Sequence, residues 1–325
     1  MNDLEIRRST PADRPRVLSL LRRSLGWGDD PRYEELFAWK HDANPFGASP
    51  AWVAQHGERV VGFRTFMRWE FQLDGETIRA VRAVDTATDP EYQGRGVFRR
   101  LTLHALDEIG SERVDFVFNT PNRASRPGYL RMGWQELGRL PVRVQPRGLR
   151  GLARLVRARV PAEHWPIPGR ALPGAPAAEA LADTSAIDAL CEQLPDPRGL
   201  STRRTPAFLA WRYGLAVLGY RALLVGDEPG DGLVLFRVRR RPPAVEVAIL
   251  DAVVPAGTSA PTGLTRRLLG DCGADHAIAI GTTLPGGHGI PLPRQGPVLT
   301  WRALARSSVP PLGGWSLSLG DVELF

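Results

Sequence analysis

The sequence of 325 residues predicts an α/β protein built as two tandem halves of related pattern. Three observations predict this. Apolar patterns of period two and period 3.6 follow one another from Leu4 to Val144 in the order β-α-α-β-β-β-α-β-α-β. A strand-like run at 80–88 meets a helix-like run at 98–109 through a turn that holds Gly94, Arg95 and Gly96. Two short segments also recur in the second half. Phe37-Ala38-Trp39-Lys40 returns as Leu209-Ala210-Trp211-Arg212, and Val84-Asp85-Thr86-Ala87 returns as Leu250-Asp251-Ala252-Val253. The two offsets are nearly equal, as divergence of one duplicated domain requires.

Each element has a local reason. Residues 4–7 read as a short strand. Thr10-Pro11-Ala12-Asp13 supplies an N-cap, a proline at the first helical position and an acid three residues after the cap. Val17, Leu18, Leu21 and Leu25 then follow at helical spacing. A second helix at 33–40 ends at Asn44-Pro45-Phe46-Gly47. Residues 51–54 and 60–63 are strands about Gly57, and 64–73 stay extended up to the Asp74-Gly75 hairpin signal. Beyond the glycine turn come a strand at 114–118, a helix at 122–132 and an extended run at 134–144. In the second half, 220–226 and 232–238 read as strands, 264–269 as a helix and 277–280 as a strand. Residues 255–261 lack Gln/Arg and Gly-x-Gly, so no counterpart of the turn is expected there.

Between the halves, 143–188 is rich in Pro, Ala and Arg. Within it, Arg147, Arg150, Arg154 and Arg157 fall three and four apart, with Leu149, Leu152, Leu155 and Val156 on another face. This predicts a basic amphipathic linker helix with its apolar face on a domain and its arginines in water. The alternative is a helix that meets an anionic surface or partner. The domain boundaries expected are 1–145, a linker at 146–188, and 189–325.

Composition narrows the function. The net charge is +7 and the pI about 10.2, yet Lys40 is the only lysine and every other basic residue is arginine. Scattered, solvated arginine explains this better than nucleic-acid binding, and a polyanionic cofactor also suits a basic protein. At 43% hydrophobic the chain can bury sizeable cores, but it has no long apolar run, so no membrane span is expected. The N-terminus has no secretory pattern. Cys191 and Cys272 are too few for a disulfide framework, and a reducing cytoplasm fits. His41, His56, His164, His276 and His288 are scattered, so no metal is expected.

The segment from Asp89 to Leu101, with Gln93, Gly94, Arg95 and Gly96 at its centre, points backbone N–H groups at the positive end of a helix dipole. It lacks the Gly-Lys-Ser/Thr of a Walker loop and the three spaced glycines of a dinucleotide fingerprint. It resembles the acyl-CoA pyrophosphate loop of the GNAT superfamily of N-acetyltransferases, Gln/Arg-x-x-Gly-x-Gly/Ala. Gln93, Gly94, Arg95 and Gly96 fit, and Pro90 stands where the family has its proline. Thr88 replaces the usual Val, and Phe98 replaces the final small residue. The resemblance implies two acetyltransferase-like domains, each with a mixed central sheet flanked by helices, the second degenerate. It implies acetyl-CoA as co-substrate. Thr86, Ala87 and Thr88 would face its pantetheine arm through their backbone, and Gln93, Gly94, Arg95, Gly96, Val97 and Phe98 would cradle its phosphates. The tandem arrangement resembles mycothiol synthase and the Eis-type acetyltransferases. With the competent half N-terminal, the chain stands nearer the Eis-like group.

The run from Asn119 to Trp134 resembles the family's Asn…Tyr-x-x-x-Gly-Phe element, with Trp134 for Phe and a departure at Pro127. The resemblance implies that Tyr129 protonates the leaving sulfur and that Asn122 touches the pantetheine. Asp85 is the candidate general base, although Asp251 holds the same place in the half without a loop, which favours a structural role. Glu70, a free α-carboxylate at Phe325 and an ordered water are the alternatives, and His104 reads as packing or surface. Both cysteines lie outside the loop-bearing half, which favours direct transfer in a ternary complex. The expected activity moves an acetyl group to a primary amine of a small molecule, such as an amino sugar, antibiotic or peptide. The alternatives are a FemABX-like transferase that uses aminoacyl-tRNA and a non-catalytic acyl-CoA-binding regulator.

Overall fold

The computed structural model describes residues 4–196, 199–281 and 284–322. The elements are β1 (Leu4–Arg8), α1 (Arg14–Leu25), α2 (Arg32–His41), β2 (Ala51–His56), β3 (Arg59–Leu73), β4 (Glu76–Thr88), α3 (Val97–Ile109), β5 (Phe116–Asn119), α4 (Arg126–Arg131) and β6 (Gln135–Arg139). There follow β7 (Val142–Pro146), α5 (Gly148–Arg157), β8 (Ala175–Pro176), α6 (Ala177–Ala180), α7 (Thr184–Glu192), β9 (Leu200–Thr202), α8 (Pro206–Gly214) and β10 (Arg221–Leu224). The last are β11 (Leu233–Arg241), β12 (Ala244–Val253), α9 (Leu264–Asp271), β13 (His276–Ile280), β14 (Ile290–Pro291), β15 (Val298–Ala303), β16 (Trp315–Ser316) and α10 (Leu319–Val322).

These elements form two compact units that interleave in sequence, where the sequence leads one to expect a domain at 1–145, a linker at 146–188 and a domain at 189–325. The first unit comprises Met1–Phe71, Gly75–Gly138 and Val298–Pro311; the second comprises Gln72–Asp74, Arg139–Pro297 and Leu312–Phe325. Strand pairing is the reason. In the first unit the strands lie in the order β1-β2-β3-β4-β5-β15-β6, so a strand from near the end of the chain stands between β5 and β6. In the second the order is β14-β7-β13-β12-β11-β10-β8, so β7 leaves the first half and pairs with β13 and β14. Both sheets are mixed, with a parallel pair in each, β4 with β5 and β12 with β13.

In the first unit α3 lies on the sheet through Val97, Leu101, Ala105, Leu106 and Ile109, all buried at helical spacing, against Trp52, Ala54, Val61 and Phe66. Gly62 on β3 allows this approach, since a Cβ there would come within 2.9 Å of a Val97 methyl. Burial of each such Leu or Ile side chain contributes about 1.5–3 kcal/mol. The start of α1 is fixed by the Thr10–Asp13 capping box, with Arg7 clamped on Asp13 at 2.7 Å.

The sequence reading of α4 is corrected. Residues 122–132 do not form one helix: the Asn122 side-chain oxygen accepts from the Ala124 and Ser125 N–H groups, which makes a turn, and the helix starts only at Arg126 with Pro127 in its first turn. The extended run at 134–144 is likewise two strands, interrupted at Leu140-Pro141.

The expected orientation of the linker helix is also overturned. Leu149, Leu152 and Val156 of α5 face solvent, while Gly151 is the buried residue and Arg154 is bonded to Asp275. The close backbone contact that only Gly151 permits decides which side faces inward.

Candidate active site

The site is laid out by β4. Its parallel ladder with β5 runs through Ala80–Phe116, Val81–Val117 and Arg82–Phe118, and β4 continues to Thr88 beyond it. Asp85, in this continuation, has φ +42°, an irregularity that rotates the peptide groups around it. On its other edge the strand stays near β3, where the N–H of Asp89 donates to the Val61 carbonyl at 2.9 Å. Thr86, Ala87 and Thr88 thus lie on β4 beyond its ladder with β5, and the Thr88 carbonyl accepts from Ser24 Oγ at 3.3 Å.

The glycine turn follows directly. Asp89 is buried and accepts from the Glu91 N–H, while Arg59 and Arg23 bond its carboxylate at 2.8 and 3.2 Å. Burial pushes the Asp89 carboxyl up, but Arg59, the Glu91 N–H and Arg23 together hold it below its ordinary value. This clamp fixes the turn at Pro90–Tyr92. Gly94 and Gly96 have φ +72° and +77°, and a Cβ built on either would meet open space. Gly96 is the N-cap of α3, so the first-turn N–H groups of that helix point outward at an exposed turn. Gln93 is tied back to the Thr88 carbonyl at 3.4 Å, and the Arg95 guanidinium lies over the Tyr92 ring at 5.3 Å. Val97 is buried under the turn. Phe98 packs against Gly128 and stands edge-on to Tyr129, with ring centroids 5.4 Å apart.

Tyr129 is buried between Phe98 and Trp134. Its hydroxyl accepts a hydrogen bond from Arg64 Nη1 at 2.7 Å, and the same nitrogen donates to Thr86 Oγ1. Arg64 has no exposed surface; it stacks over Phe66 at 4.4 Å, and its Nε and Nη2 meet no acceptor. A buried guanidinium thus joins this end of β4 to the phenol. Sequence reasoning missed Arg64. The signal was a single charge inside the apolar run Val60-Val61-Gly62-Phe63-Arg64-Thr65-Phe66.

Asp85 faces elsewhere. Its carboxylate bonds Lys40 Nζ at 2.6 Å and His41 Nε2 at 2.9 Å, and all three side chains are buried. Burial pushes the Asp85 carboxyl up, but the Lys40 charge and the His41 hydrogen bond outweigh it and hold the group at about 2. Burial pushes His41 down. The chain's only lysine is thus spent on an internal ion pair. In the second unit Asp251 occupies the matching place: Arg204 bonds it at 2.8 Å and Tyr213, which matches His41, donates to it at 3.1 Å. Both units therefore tie a helix to the strand aspartate, which fits an anchor better than a proton acceptor.

The second unit also keeps part of the turn, which the sequence reading did not find. Gly263, within one residue of the offset that relates Asp85 to Asp251, is the N-cap of α9 with φ +78°. This helix end is filled by the protein itself. The Gly263 N–H donates to the Gly286 carbonyl at 2.8 Å, and Thr265 Oγ1 donates to the Pro285 carbonyl at 2.6 Å.

The other sequence candidates are placed apart. Asn122 uses its side-chain oxygen in its own turn. Glu70 lines a cavity of about 480 Å³ with Trp69, Arg79 and Ala80, beside the stretch where β4 and β5 are still paired. His104 pairs with Glu108 one turn along α3. Phe325 lies outside the described residues. Cys191 and Cys272 belong to the second unit, and burial pushes each thiol up to about 11.

Comparisons with known proteins bear on the domain and its fold. The family model described as an acetyltransferase (GNAT) domain matches residues 5–137. No curated protein matches the chain. Among solved structures, the chain is similar to a probable N-acyltransferase from Enterococcus faecalis, with TM-score 0.63 and 12% identity over 93% of this chain and 73% of that one. It is similar to a GCN5-related N-acetyltransferase from Anabaena variabilis, with TM-score 0.62 and 16% identity over 93% and 73%. It is also similar to Eis1 from Mycobacterium abscessus, with TM-score 0.55 and 14% identity over the same shares. Residues 5–137 form a GNAT acetyltransferase domain. Over the whole chain the fold is the tandem, Eis-like one, and the domain matched at residues 5–137 supports an acyltransferase activity.

Proposed function

We propose that the first unit is an N-acetyltransferase that moves an acetyl group from acetyl-CoA to a primary amine of a small molecule by direct transfer. The observation that carries this reading is a convergence at one end of β4. A strand segment beyond the ladder with β5, an open turn with two left-handed glycines at a helix N-terminus, and a buried phenol are all close in sequence or bonded to one another. Acetyl-CoA supplies an activated thioester when bound.

The residues present fit it. The exposed first-turn N–H groups of α3 suit a pyrophosphate, and Arg95 adds a charge beside them. The backbone of Thr86, Ala87 and Thr88 suits the amides of the pantetheine arm. Phe98 fills the space against α4, which leaves the outer side of the turn clear. Tyr129 Oη holds the proton for the departing sulfur. The two high-titrating thiols make a route through a covalent Cys intermediate unfavourable, since the thiolate is the nucleophile. Self-filling of the α9 N-terminus supports a non-binding second unit.

Thermal unfolding with and without acetyl-CoA tests the reading. At about a hundredfold excess over its dissociation constant, a ligand bound only by the folded chain stabilises it by roughly 2.7 kcal/mol. A rise in Tm with acetyl-CoA and none with ATP or NAD is expected. No rise with acetyl-CoA sinks the proposal.

A further inference from the structure

α5 has an unusual distribution of side chains. Its inner face carries Gly151, Arg154 and the half-buried Leu155. Gly151 lies against the Asp275 carbonyl, where a Cβ would collide; the Arg147 N–H donates to that carbonyl at 2.7 Å; and Arg154 Nη1 donates to Asp275 Oδ1 at 3.0 Å. At about 100° per residue, Leu149, Leu152 and Val156 then fall together on the outer side. They are 86%, 40% and 64% exposed, and Val160 just beyond is 48% exposed. Arg150 and Arg157, both exposed, share one shoulder of this stripe. No acidic residue occurs in the helix.

The patch is concentrated. Seven large apolar side chains are exposed among the described residues, and four of them are these. A fifth, Ile290, lines a groove with Arg147, Gly148 and Arg266 at the N-terminal end of the helix. A water-facing surface rarely gathers apolar side chains in this way without a partner.

We propose that α5 docks the protein on an anionic lipid surface. Leu149, Leu152, Val156 and Val160 enter the boundary between headgroups and acyl chains, and Arg150, Arg157 and Arg159 meet the phosphates. Charge selects this occupant. A second copy of the chain applied face to face sets the arginines against one another, whereas acidic lipid offers an apolar layer and negative charge together. The helix has 10 residues and lies on the surface; among the described residues no helix is long and apolar enough to cross a membrane.

The test is sedimentation of the full chain with vesicles. One set is phosphatidylcholine alone, and the other is an equimolar mixture of phosphatidylcholine and phosphatidylglycerol. Binding to the mixed vesicles at low salt is expected, with release as salt rises and little binding to phosphatidylcholine alone. The double variant Leu149→Glu, Val156→Glu changes two exposed positions, so its melting curve should match the parent's while its binding falls at least about tenfold, as two buried like-signed charges demand. No binding of the parent to mixed vesicles overturns the proposal, and so does undiminished binding of the double variant. Analytical ultracentrifugation adds a third outcome. A parent dimer that the same substitutions convert to monomer gives the face to a second copy instead.

Discussion

Arg64, with no surface exposed to water, donates from Nη1 to the hydroxyl oxygen of Tyr129 at 2.7 Å. The phenol is therefore an acceptor toward the guanidinium, and its own hydrogen has to be donated in another direction. That is the arrangement a proton donor needs. If the two residues act as a unit, their effects on turnover are not additive. Arg64→Met is expected to lower kcat about tenfold in the parent, a change of ~1.4 kcal/mol, and to change little when Tyr129 is already Phe. Equal losses in both backgrounds would separate Arg64 from the phenol.

Tyr129→Phe keeps the ring among Phe98 and Trp134 and removes only the hydroxyl. General acid catalysis is typically worth 10²–10⁴-fold, so kcat is expected to fall by roughly 100-fold or more. Binding of CoA, followed by calorimetry, is expected to stay within about threefold of the parent, less than 1 kcal/mol. Unchanged turnover would remove Tyr129 from the mechanism.

Gly96→Asp is expected to abolish acetyl-CoA binding. The φ of +77° strains any L side chain, and a carboxylate at the N-terminus of α3 repels phosphate. The space beside Gly96 is open, so the protein is expected to fold, with a circular dichroism spectrum like the parent's. A retained Tm rise with acetyl-CoA would show that the phosphates lie elsewhere.

Lys40→Met is expected to be strongly destabilising, since it leaves Asp85 buried beside His41 without its cation. Removing one partner of a buried pair typically costs about 3–5 kcal/mol. The pH dependence follows from the depressed Asp85 carboxyl. It sits at about 2 in the folded chain against an ordinary 3.8, so its contribution is complete above that ordinary value and is lost as the pH falls toward 2. Urea melts of the parent between pH 5 and 2, a window set by that shift, should weaken progressively, and those of Lys40→Met should weaken less. Parallel curves would mean that the pair does not titrate in this way.

Most of the first unit was legible because its elements are long, periodic and punctuated. The Thr10 cap, the Asp74-Gly75 hairpin and the α3 pattern all lie where local chemistry puts them. The glycine turn was legible for the same reason. The roles of Arg64 and Lys40 were not: the apolar run around Arg64 marks it as buried without naming its partner, and only the packing of α4 and α2 on the sheet brings Tyr129 to Arg64 and Lys40 to Asp85. The face of α5 was misread because hydrophobicity alone was weighed, while one glycine against the Asp275 carbonyl set its orientation. Gly263 went unnoticed because its neighbours Pro261 and Thr262 carry no motif, and only its φ and its place before α9 reveal it.

The position of β15 has a consequence for how the protein is made. The sheet that carries the turn and the phenol is complete only when Val298–Ala303 has taken its place between β5 and β6. A ribosome finishes β6 at Arg139 and must then produce nearly the whole second unit before that strand emerges. The nascent first unit meanwhile holds β5 with an open edge, the kind of edge that invites wrong pairing. A gene fragment stopped after residue 145 would leave that edge open permanently. The half of this chain that carries the glycine turn is encoded first and finished nearly last.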